Sequence, residues 1–504
     1  MKRNIIANFA GKMWSALMVL AFLPLYVRFL GIEAYGLIGI YASLLVVLSV
    51  FDMGLSTTLN RELARLSGHR GTGQEARDLV RTFELIYWAT GILIGGGIAA
   101  LASPIARHWL NAEGVTVETM EGALMIMGLV IALQWPASLY AGGLMGLQRQ
   151  VLLNVIRVAT ATLQGAGAVL VLWLVSPTIF AFFLWQVLVG ALHSAIVAAW
   201  LWKSLPGSAA PAFRKDLLAS NWRFAGGMTG VSVLVAILTQ TDKVILSKML
   251  SLETFGYYSL ATAIAGALTH ISNPIFTALF PRFSQEASGG KEAGLALLYH
   301  KGSQLMTAAV VPVWIIVALF SKELLFLWFG DAPVVANTHL LVSLLITGTA
   351  LNSIMVLPYT LQLAYGWTSL LLYVNALSVA LLIPLLVWLI ADYGAVGAAL
   401  AWIALNAGYV LVVVPLMHRR LLRDSMGQWF LRDVGIPVVI GCGVGILARI
   451  AAPSDLPAYA LLLWILLSLA LTFLCVAWAM PHTRDWLKRS AMSGADARVN
   501  FLGL

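Results

Sequence analysis

Charged residues are scarce in this sequence. Asp, Glu, Lys and Arg make up 11% of its 504 residues, whereas soluble domains contain about 25%. Between Asp331 and Arg419 the only formally charged side chain is that of Asp392. Hydrophobic residues account for 60% of the chain. Water therefore cannot be its main solvent, and an enzyme built around a soluble active site is not expected.

Cysteine and the sequence patterns of cofactor chemistry are also rare. Cys442 and Cys475 are the only cysteines, and both lie in apolar stretches, so no disulfide bridge is expected. The chain has no Gly-x-x-x-x-Gly-Lys-Ser/Thr loop, no His-Glu-x-x-His and no cluster of Cys and His. We therefore expect no metal ion, no cofactor and no ATP hydrolysis in this chain. The net charge of +9 is spread over short connectors, which argues against nucleic acid as a partner.

Long apolar stretches are abundant. A helix needs about 20 apolar residues to cross a bilayer core about 30 Å thick, and fourteen stretches of the sequence meet this length. No connector exceeds about 25 residues, which is too short for an independent domain. The first stretch, residues 6–28, has no signal-peptide cleavage site and is predicted to be a retained helix. The predicted fold class is an all-α polytopic membrane protein with about 14 transmembrane helices.

The distribution of Lys and Arg predicts the orientation. If both termini are cytoplasmic, 23 of the 31 Lys and Arg lie in cytoplasmic segments and five lie outside, while Lys12, Arg157 and Lys243 lie within helices. Cytoplasmic loops of membrane proteins carry this kind of excess. The sequence therefore predicts a multi-pass protein with both termini in the cytoplasm.

An internal repeat divides the chain. The segment Leu30–Gly36 recurs as Leu250–Gly256, with Leu, Glu and Gly retained. Six helices in each half would relate the halves by a pseudo-two-fold axis along the membrane normal, with the substrate between two facing bundles. The predicted organisation is an N-terminal six-helix bundle (1–202), a cytoplasmic linker (203–223), a C-terminal six-helix bundle (224–416), a connector (417–433), helices 13 and 14 (434–480) and a cytoplasmic tail (481–504).

Five short motifs carry a family resemblance. They are Asn-Phe-Ala-Gly-Lys (8–12), Leu-Gly-x-x-x-Tyr-Gly (30–36), Phe-Asp-x-Gly-Leu (51–55), Gln-Thr-Asp-Lys (240–243) and Tyr-Gly-Ala-Val-Gly-Ala-Ala (393–399). In this order and spacing, they resemble the polysaccharide flippases of the multidrug/oligosaccharidyl-lipid/polysaccharide exporter superfamily. The resemblance covers residues 1 to 480.

The resemblance implies a function and partners. It implies movement of a polyprenyl-diphosphate-linked oligosaccharide across a bacterial inner membrane, for O-antigen, capsule or exopolysaccharide assembly. A coupling ion, H⁺ or Na⁺, and a polysaccharide polymerase complex are further expected partners. Most flippases of that branch have twelve helices, whereas the related peptidoglycan-precursor flippases have fourteen, so the glycan stays open.

Polar and ionisable residues in the spans are the candidates for substrate contact, because a charge at a helix centre costs about 2.5 to 3.5 kcal/mol. The candidate substrate-binding residues are Lys12, Arg28, Asp52, Arg157, Asp242, Lys243, His270 and Asn273. Lys12 and Arg157 lie near helix ends, where snorkelling of the side chain to the interface is the competing interpretation. Asp242 and Lys243 are adjacent, so a salt bridge between them is not expected.

Two polar stripes are expected to line water. One joins Ser49, Asp52 and Ser56, and the other joins His270, Asn273 and Thr277 at helical spacing. Interhelical hydrogen bonding is the alternative for both stripes.

Two charge pairs recur with the repeat. Arg28 with Glu33 and Lys248 with Glu253 occupy equivalent positions. Because a single asymmetric substrate rarely needs duplicated contacts, the glutamates are predicted to serve the fold, while Arg28 is retained as a phosphate contact.

Three functions compete. A flippase for a lipid-linked oligosaccharide needs basic residues for the diphosphate, whereas a multidrug/cation antiporter of the same superfamily would use acidic residues. The third alternative is a membrane glycosyltransferase or ligase, which generally needs a sizeable extracytoplasmic loop. The excess of Lys12, Arg157 and Lys243 over Asp52 and Asp242 favours the flippase.

Overall fold

The computed structural model is built from helices. It describes residues 2–68, 72–207, 209–289, 292–453 and 456–485, with side chains at these positions except 2–10, 12 and 220–232. The helices are α1 (Lys2–Ala21), α2 (Leu23–Leu30), α3 (Ile32–Leu48), α4 (Leu55–Ser67), α5 (Gly73–His108), α6 (Val117–Gly146), α7 (Gln150–Leu174), α8 (Ile179–Ser204), α9 (Lys215–Met249), α10 (Leu252–Gly266), α11 (Thr269–Ser288), α12 (Glu292–Leu319), α13 (Ser321–Phe329), α14 (Ala332–Ala364), α15 (Thr368–Gly408), α16 (Val414–Arg420), α17 (Met426–Gln428), α18 (Ile436–Ile450) and α19 (Ala458–Ala479). The predicted all-α class is confirmed.

Among the described residues, twelve helical segments are long and apolar enough to cross a membrane, which confirms a multi-pass membrane protein. One of them, Thr368–Arg420, has 53 residues, and its length of about 80 Å at 1.5 Å per residue suffices for two crossings. The backbone leaves the helical conformation at Gly394 inside this segment, with φ 58° and ψ −135°. Helix α9, with 35 residues, is not among the twelve. The number fourteen stays a prediction.

The described residues form two compact units that divide after Ser259, inside α10. Helix α9 and the first half of α10 therefore belong to the first unit. In the predicted linker, residues 203–223, the described residues 205–207 and 209–214 are non-helical, while residues 203–204 belong to α8 and residues 215–223 belong to α9. The predicted boundaries of the two six-helix bundles were derived from the sequence repeat, and they stay a prediction.

Two buried carboxylates fix one end of the first unit. Glu84 in α5 accepts hydrogen bonds from the Tyr140 hydroxyl at 2.6 Å and from Trp202 Nε1 at 3.2 Å, which ties α6 and α8 to α5. Asp78, also in α5, accepts a hydrogen bond from the backbone N–H of Ala212 at 2.9 Å. The segment between α8 and α9 is thereby fixed to α5.

A buried polar cluster joins the late helices of the second unit. His300 in α12 hydrogen-bonds through Nδ1 to Asp433, which lies in the π-helical turn before α18. Gln304 Nε2 donates to the other oxygen of Asp433 at 2.8 Å, and Gln304 Oε1 accepts from the N–H of His482 at 3.0 Å. Burial lowers the pKa of His482, and the charge of nearby Lys301 lowers it further. The cluster thus ties α12 to the segments that precede α18 and follow α19.

Glycines of α18 allow this helix to pack closely on α12. A Cβ on Gly441 would lie 2.8 Å from Ile315 Cδ1, and a Cβ on Gly445 would lie 2.5 Å from Ile315 Cγ2. The spacing of four residues between Gly441 and Gly445 predicts a close helix contact rather than a hinge, and the structure confirms this prediction. The same prediction for Gly226 and Gly230 falls on positions whose side chains are outside the described residues. Cys442 and Cys475 are free, as expected.

Replacing Gly445 with leucine is expected to destabilise the second unit by about 1 to 3 kcal/mol, because overpacking forces neighbours out of position. Gly443→Leu is the matched control, since a Cβ on Gly443 of the same helix would meet no atom within 4 Å. The measurement is the thermal unfolding midpoint of each purified variant in one detergent. Equal midpoints for the two variants would contradict the close contact with Ile315.

Candidate substrate-binding site

Asp52 lies at a break in the second membrane helix. The 3-10 turn after α3 ends at Asp52, and Met53 and Gly54 then have left-handed φ angles of 47° and 68° before α4 begins. Gly54 adopts this conformation readily, whereas a side chain such as that of Met53 is strained there. The apolar stretch of residues 35–57 predicts one continuous helix. This prediction is wrong at its C-terminal end, because two left-handed residues cannot continue a right-handed helix.

The Asp52 carboxylate is held by hydroxyl groups. Ser56 Oγ donates to Oδ2 at 2.9 Å, and the Tyr87 hydroxyl donates to Oδ1. Ser49 hydrogen-bonds instead to the carbonyl of Val46 in its own helix. Of the predicted stripe, Asp52 and Ser56 are therefore bonded to each other and Ser49 is not. Tyr87 of α5 is the second donor to the Asp52 carboxylate.

Neighbouring uncharged residues extend this polar region. The Tyr41 hydroxyl donates to Gln134 Oε1 at 3.1 Å, and the Tyr87 ring lies 6.2 Å from that of Trp135. Gln134 Nε2 is buried without an acceptor among the described residues. Sequence reasoning that started from charged residues and the polar residues at helical spacing from them missed Tyr41, Tyr87 and Gln134. A tyrosine within a span is itself a signal, since a buried hydroxyl needs a partner.

Asp242 and Lys243 form a salt bridge. Lys243 Nζ lies 3.2 Å from Asp242 Oδ1 and donates to the carbonyl of Thr239 at 2.9 Å. The prediction that these neighbours would not pair is wrong, because the flexible lysine chain bends back over its own helix. The Tyr258 hydroxyl donates to Asp242 Oδ2 at 2.6 Å. The carboxylate of Asp242 is thus neutralised within the first unit.

Arg157 has a different environment. Its side chain in α7 is half-buried and makes no hydrogen bond or ion pair to another described residue. The nearby ring of His193, which is within reach of the Arg157 charge, shares a hydrogen bond of 2.9 Å with the Thr160 hydroxyl. A guanidinium inside a membrane protein normally has a partner, so Arg157 is the half-buried charged candidate that the described part of the chain leaves unneutralised.

Lys12 lies in α1, but its side chain is outside the described residues. Its neighbour Gly11 packs on α7, since a Cβ on Gly11 would lie 2.6 Å from Asn154 Oδ1. Asn154 precedes Arg157 by less than one helical turn. Helix α1 therefore passes the turn of α7 that carries Arg157 at the level of Lys12.

The other predicted site residues are exposed. Arg28 in α2 makes no hydrogen bond or ion pair to another residue whose side chain is described. His270 and Asn273, in α11 of the second unit, are exposed together with Thr277, as expected for one face of a helix. The Thr277 hydroxyl donates to the Asn273 carbonyl at 2.9 Å.

The two repeated glutamates have different partners. Glu33 accepts hydrogen bonds from the backbone N–H groups of Glu113 and Gly114, each at 2.7 Å. Glu253 accepts from the Tyr257 hydroxyl, one turn along its own helix, at 3.0 Å. Both are bonded within the protein, as predicted for structural residues, but only Glu33 holds a distant loop.

A charged cavity lies beside α4. It has a volume of about 190 Å³, and its lining includes Arg61, Glu62, Arg65 and Glu75. Glu62 pairs with Arg61 at 2.6 Å and with Arg65 at 2.7 Å. Burial acts to raise the pKa of Glu62, but the hydrogen bonds and charges of Arg65 and Arg61 outweigh burial and hold the pKa below its ordinary value. These arginines, counted in the sequence as an orientation signal, therefore also stabilise a carboxylate.

Solved structures define the class of this fold. The lipid II flippase MurJ, in an inward closed conformation, matches with a TM-score of 0.69 at 13% identity, covering 97% of this chain and 100% of that chain. The MATE multidrug transporter DinF-BH matches with a TM-score of 0.62 at 15% identity, covering 83% of this chain and 95% of that chain. The fold is that of this class of flippases and multidrug transporters.

Sequence relatives narrow the class. The profile of the family described as polysaccharide biosynthesis protein matches residues 1–286. A Shigella flexneri protein named for O-antigen transport is 23% identical over 419 residues, which are 79% of this chain and 93% of that protein. The chain belongs to the polysaccharide biosynthesis protein family. These relatives are transporters and flippases by name, in agreement with the expectation of a membrane transporter rather than an enzyme.

Proposed function

We propose that this protein is a flippase for a polyprenyl-diphosphate-linked oligosaccharide. It moves the lipid by alternating access from the cytoplasmic to the periplasmic leaflet of a bacterial inner membrane, with both termini in the cytoplasm, for surface polysaccharide assembly. The family and the transporter fold support movement of a lipid-linked glycan. The glycan itself is not part of the proposal.

The environment of Arg157 is the observation that supports an anionic substrate. Asp242 is neutralised by Lys243 and Tyr258, and Asp52 is held by hydroxyl donors, whereas Arg157 has no carboxylate partner among the described residues. A planar guanidinium suits bidentate contact with a phosphate group. We assign the diphosphate to Arg157, with Lys12 as a second contact on the adjacent helix.

The main alternative is a multidrug/cation antiporter, which the fold of DinF-BH also represents. Asp52 favours it, because the hydrogen-bond partners that the structure shows for its carboxylate are the uncharged hydroxyl groups of Ser56 and Tyr87. If the protein is a flippase, Asp52 is instead a candidate residue for binding the coupling ion, H⁺ or Na⁺. A glycosyltransferase or ligase receives no support from the relatives.

Reconstitution tests the proposal. Purified protein in sealed vesicles is expected to expose an undecaprenyl-diphosphate oligosaccharide to a membrane-impermeant glycosidase at least tenfold faster than empty vesicles do. An H⁺ or Na⁺ gradient is applied in separate arms to identify the coupling ion. Cells that lack the protein should accumulate the same lipid in the cytoplasmic leaflet.

The competing function is measured in the same vesicles with an organic cation such as rhodamine 6G. Gradient-driven uptake of the cation, without exposure of the lipid-linked oligosaccharide, would replace the flippase by the antiporter.

A further inference from the structure

The two copies of the repeated segment contact each other inside the first unit. A Cβ on Gly36 would lie 2.7 Å from the carbonyl oxygen of Leu252, and a Cβ on Gly256 would lie 2.3 Å from the carbonyl oxygen of Ile32. Leu252 and Gly256 follow Ile32 and Gly36 by the same offset of 220 residues. The contact is therefore reciprocal, as in an interface formed by two equivalent surfaces.

A third pair continues this contact along the helices. A Cβ on Gly39 would lie 2.2 Å from Ser259 Oγ, and these two residues are again separated by 220 positions. The small residues Gly36 and Gly39 of α3 thus face the small residues Gly256 and Ser259 of α10. Small residues at this spacing allow helices in membranes to approach closely. We call these six paired residues, including Ile32 and Leu252, the repeat seam.

One copy of the repeat also holds the loop between α5 and α6. The Glu33 carboxylate accepts two hydrogen bonds of 2.7 Å from the N–H groups of Glu113 and Gly114. Hydrogen bonds to an ionised carboxylate are stronger than neutral ones. The loop is therefore fixed to the start of α3.

The other copy holds the same loop from the end of α9. The N–H of Leu252 donates to the Asn111 carbonyl at 2.6 Å, and Asn111 forms a parallel β-bridge with Ser251. Asn111 Nδ2 donates to the carbonyl of Lys248 at 3.1 Å, and the Lys248 ammonium lies 5.8 Å from the centre of the Trp109 ring. The loop therefore connects both copies of the repeat.

The two ends of the first unit differ in how they are held. At the end of the α8–α9 connector, Glu84 and Asp78 fix the helices through buried carboxylates. At the opposite end, the hydrogen bonds from the loop to the Glu33 carboxylate and from the loop residue Asn111 to the Lys248 carbonyl are exposed. Water can replace exposed hydrogen bonds at little cost, whereas buried partners cannot be left unpaired. Separation is therefore easier at the loop end.

The geometry points to a latch made of the repeat seam and the residue 108–114 loop, which closes this end of the first unit and must open once in each transport cycle. This inference rests on the proposed transport function. It assigns Glu33 and Asn111 to the closed state as positioning residues that do not touch the substrate. The Lys and Arg distribution predicts that this end faces the periplasm.

A reversible cross-link tests the latch. Asn111→Cys and Ser251→Cys are introduced together after Cys442 and Cys475 are replaced by serine. Residues paired in a β-bridge have Cα atoms about 5 Å apart, which suits a disulfide. Oxidation is expected to lower oligosaccharide flipping at least tenfold, and reduction is expected to restore it. Equal flipping before and after oxidation would overturn the latch while leaving the proposed function intact.

A labelling experiment decides the latch even if the reduced protein does not flip the lipid. Ser259→Cys places a thiol in the repeat seam, where residue 259 is buried. Adding Glu33→Gln to this variant is expected to raise the rate at which the thiol at position 259 reacts with an impermeant maleimide at least threefold, because the charged hydrogen bonds between Glu33 and the loop are lost. Glu253→Gln is the matched control and should leave the rate unchanged, because the hydrogen bond that Glu253 makes among the described residues goes to Tyr257 in its own helix. Equal rates in the two variants would overturn the latch.

Discussion

Alanine at Asp433 is expected to lower the stability of the second unit by about 2 to 6 kcal/mol, because two buried hydrogen-bond donors lose their acceptor at a cost of about 1 to 3 kcal/mol each. The side chain of Asp433 is completely buried and accepts hydrogen bonds from His300 and Gln304. Its removal leaves two buried donors without an acceptor, and each unpaired group adds a desolvation cost. Because Gln304 also binds the backbone of His482, the segment after α19 should loosen as well.

The midpoint of thermal unfolding in lipid nanodiscs measures this effect. Asp424→Ala is the control, since Asp424 is exposed and lies nine residues before Asp433. Asp433→Asn should fall between the two, because its amide oxygen still accepts one hydrogen bond. If Asp433→Ala and Asp424→Ala had the same unfolding midpoint, the buried cluster would not be a stabilising contact.

Alanine at Arg157 is expected to lower the rate of flipping about 10- to 100-fold, the change that corresponds to one charged hydrogen bond of 1.5 to 3 kcal/mol. Its guanidinium has no partner among the described residues, so the substitution leaves no protein group unpaired. Stability should therefore change little, in contrast to Asp433→Ala. Arg157→Lys should recover part of the rate, because lysine keeps the charge but lacks the planar fork.

The assay is the vesicle exposure of lipid-linked oligosaccharide, with the unfolding midpoint measured in parallel. Arg449→Ala is the control, since Arg449 already pairs with Glu323 at 2.6 Å and is exposed. A full flipping rate in Arg157→Ala would remove the diphosphate contact from this residue. A large loss of stability would show instead that Arg157 has a structural role.

Helix positions and family could be predicted from the sequence because both depend on local patterns. The apolar stretches 121–144 and 154–175, for example, predict helices that agree with α6 and α7 to within a few residues, since a membrane requires about 20 apolar residues for each crossing. The offset of 220 residues likewise predicted which residues are equivalent. It did not predict that Gly36 and Gly256 would each contact the opposite copy.

The candidate site was harder to predict. The chain breaks at Met53 and Gly54, which no long apolar stretch indicates, and Lys243 bends back to Asp242. The residues missed, Tyr87 and Gln134, carry no formal charge, so a search for charges in apolar helices passed over them.

The sequence by itself determined that this chain crosses a membrane many times and belongs with the membrane transporters of the polysaccharide biosynthesis protein family. The apolar composition and the length of the helices decide the membrane crossings, and short motifs in a fixed order decide the family. Only the tertiary structure decided which charges are neutralised. Arg157 and Lys243 look alike as isolated cations within apolar helices, yet Lys243 has Asp242 beside its ammonium while Arg157 has no such partner among the described residues. The difference arises because the effect of a charge in a membrane depends on the groups within a few ångströms of it, and folding brings those groups together from distant parts of the chain.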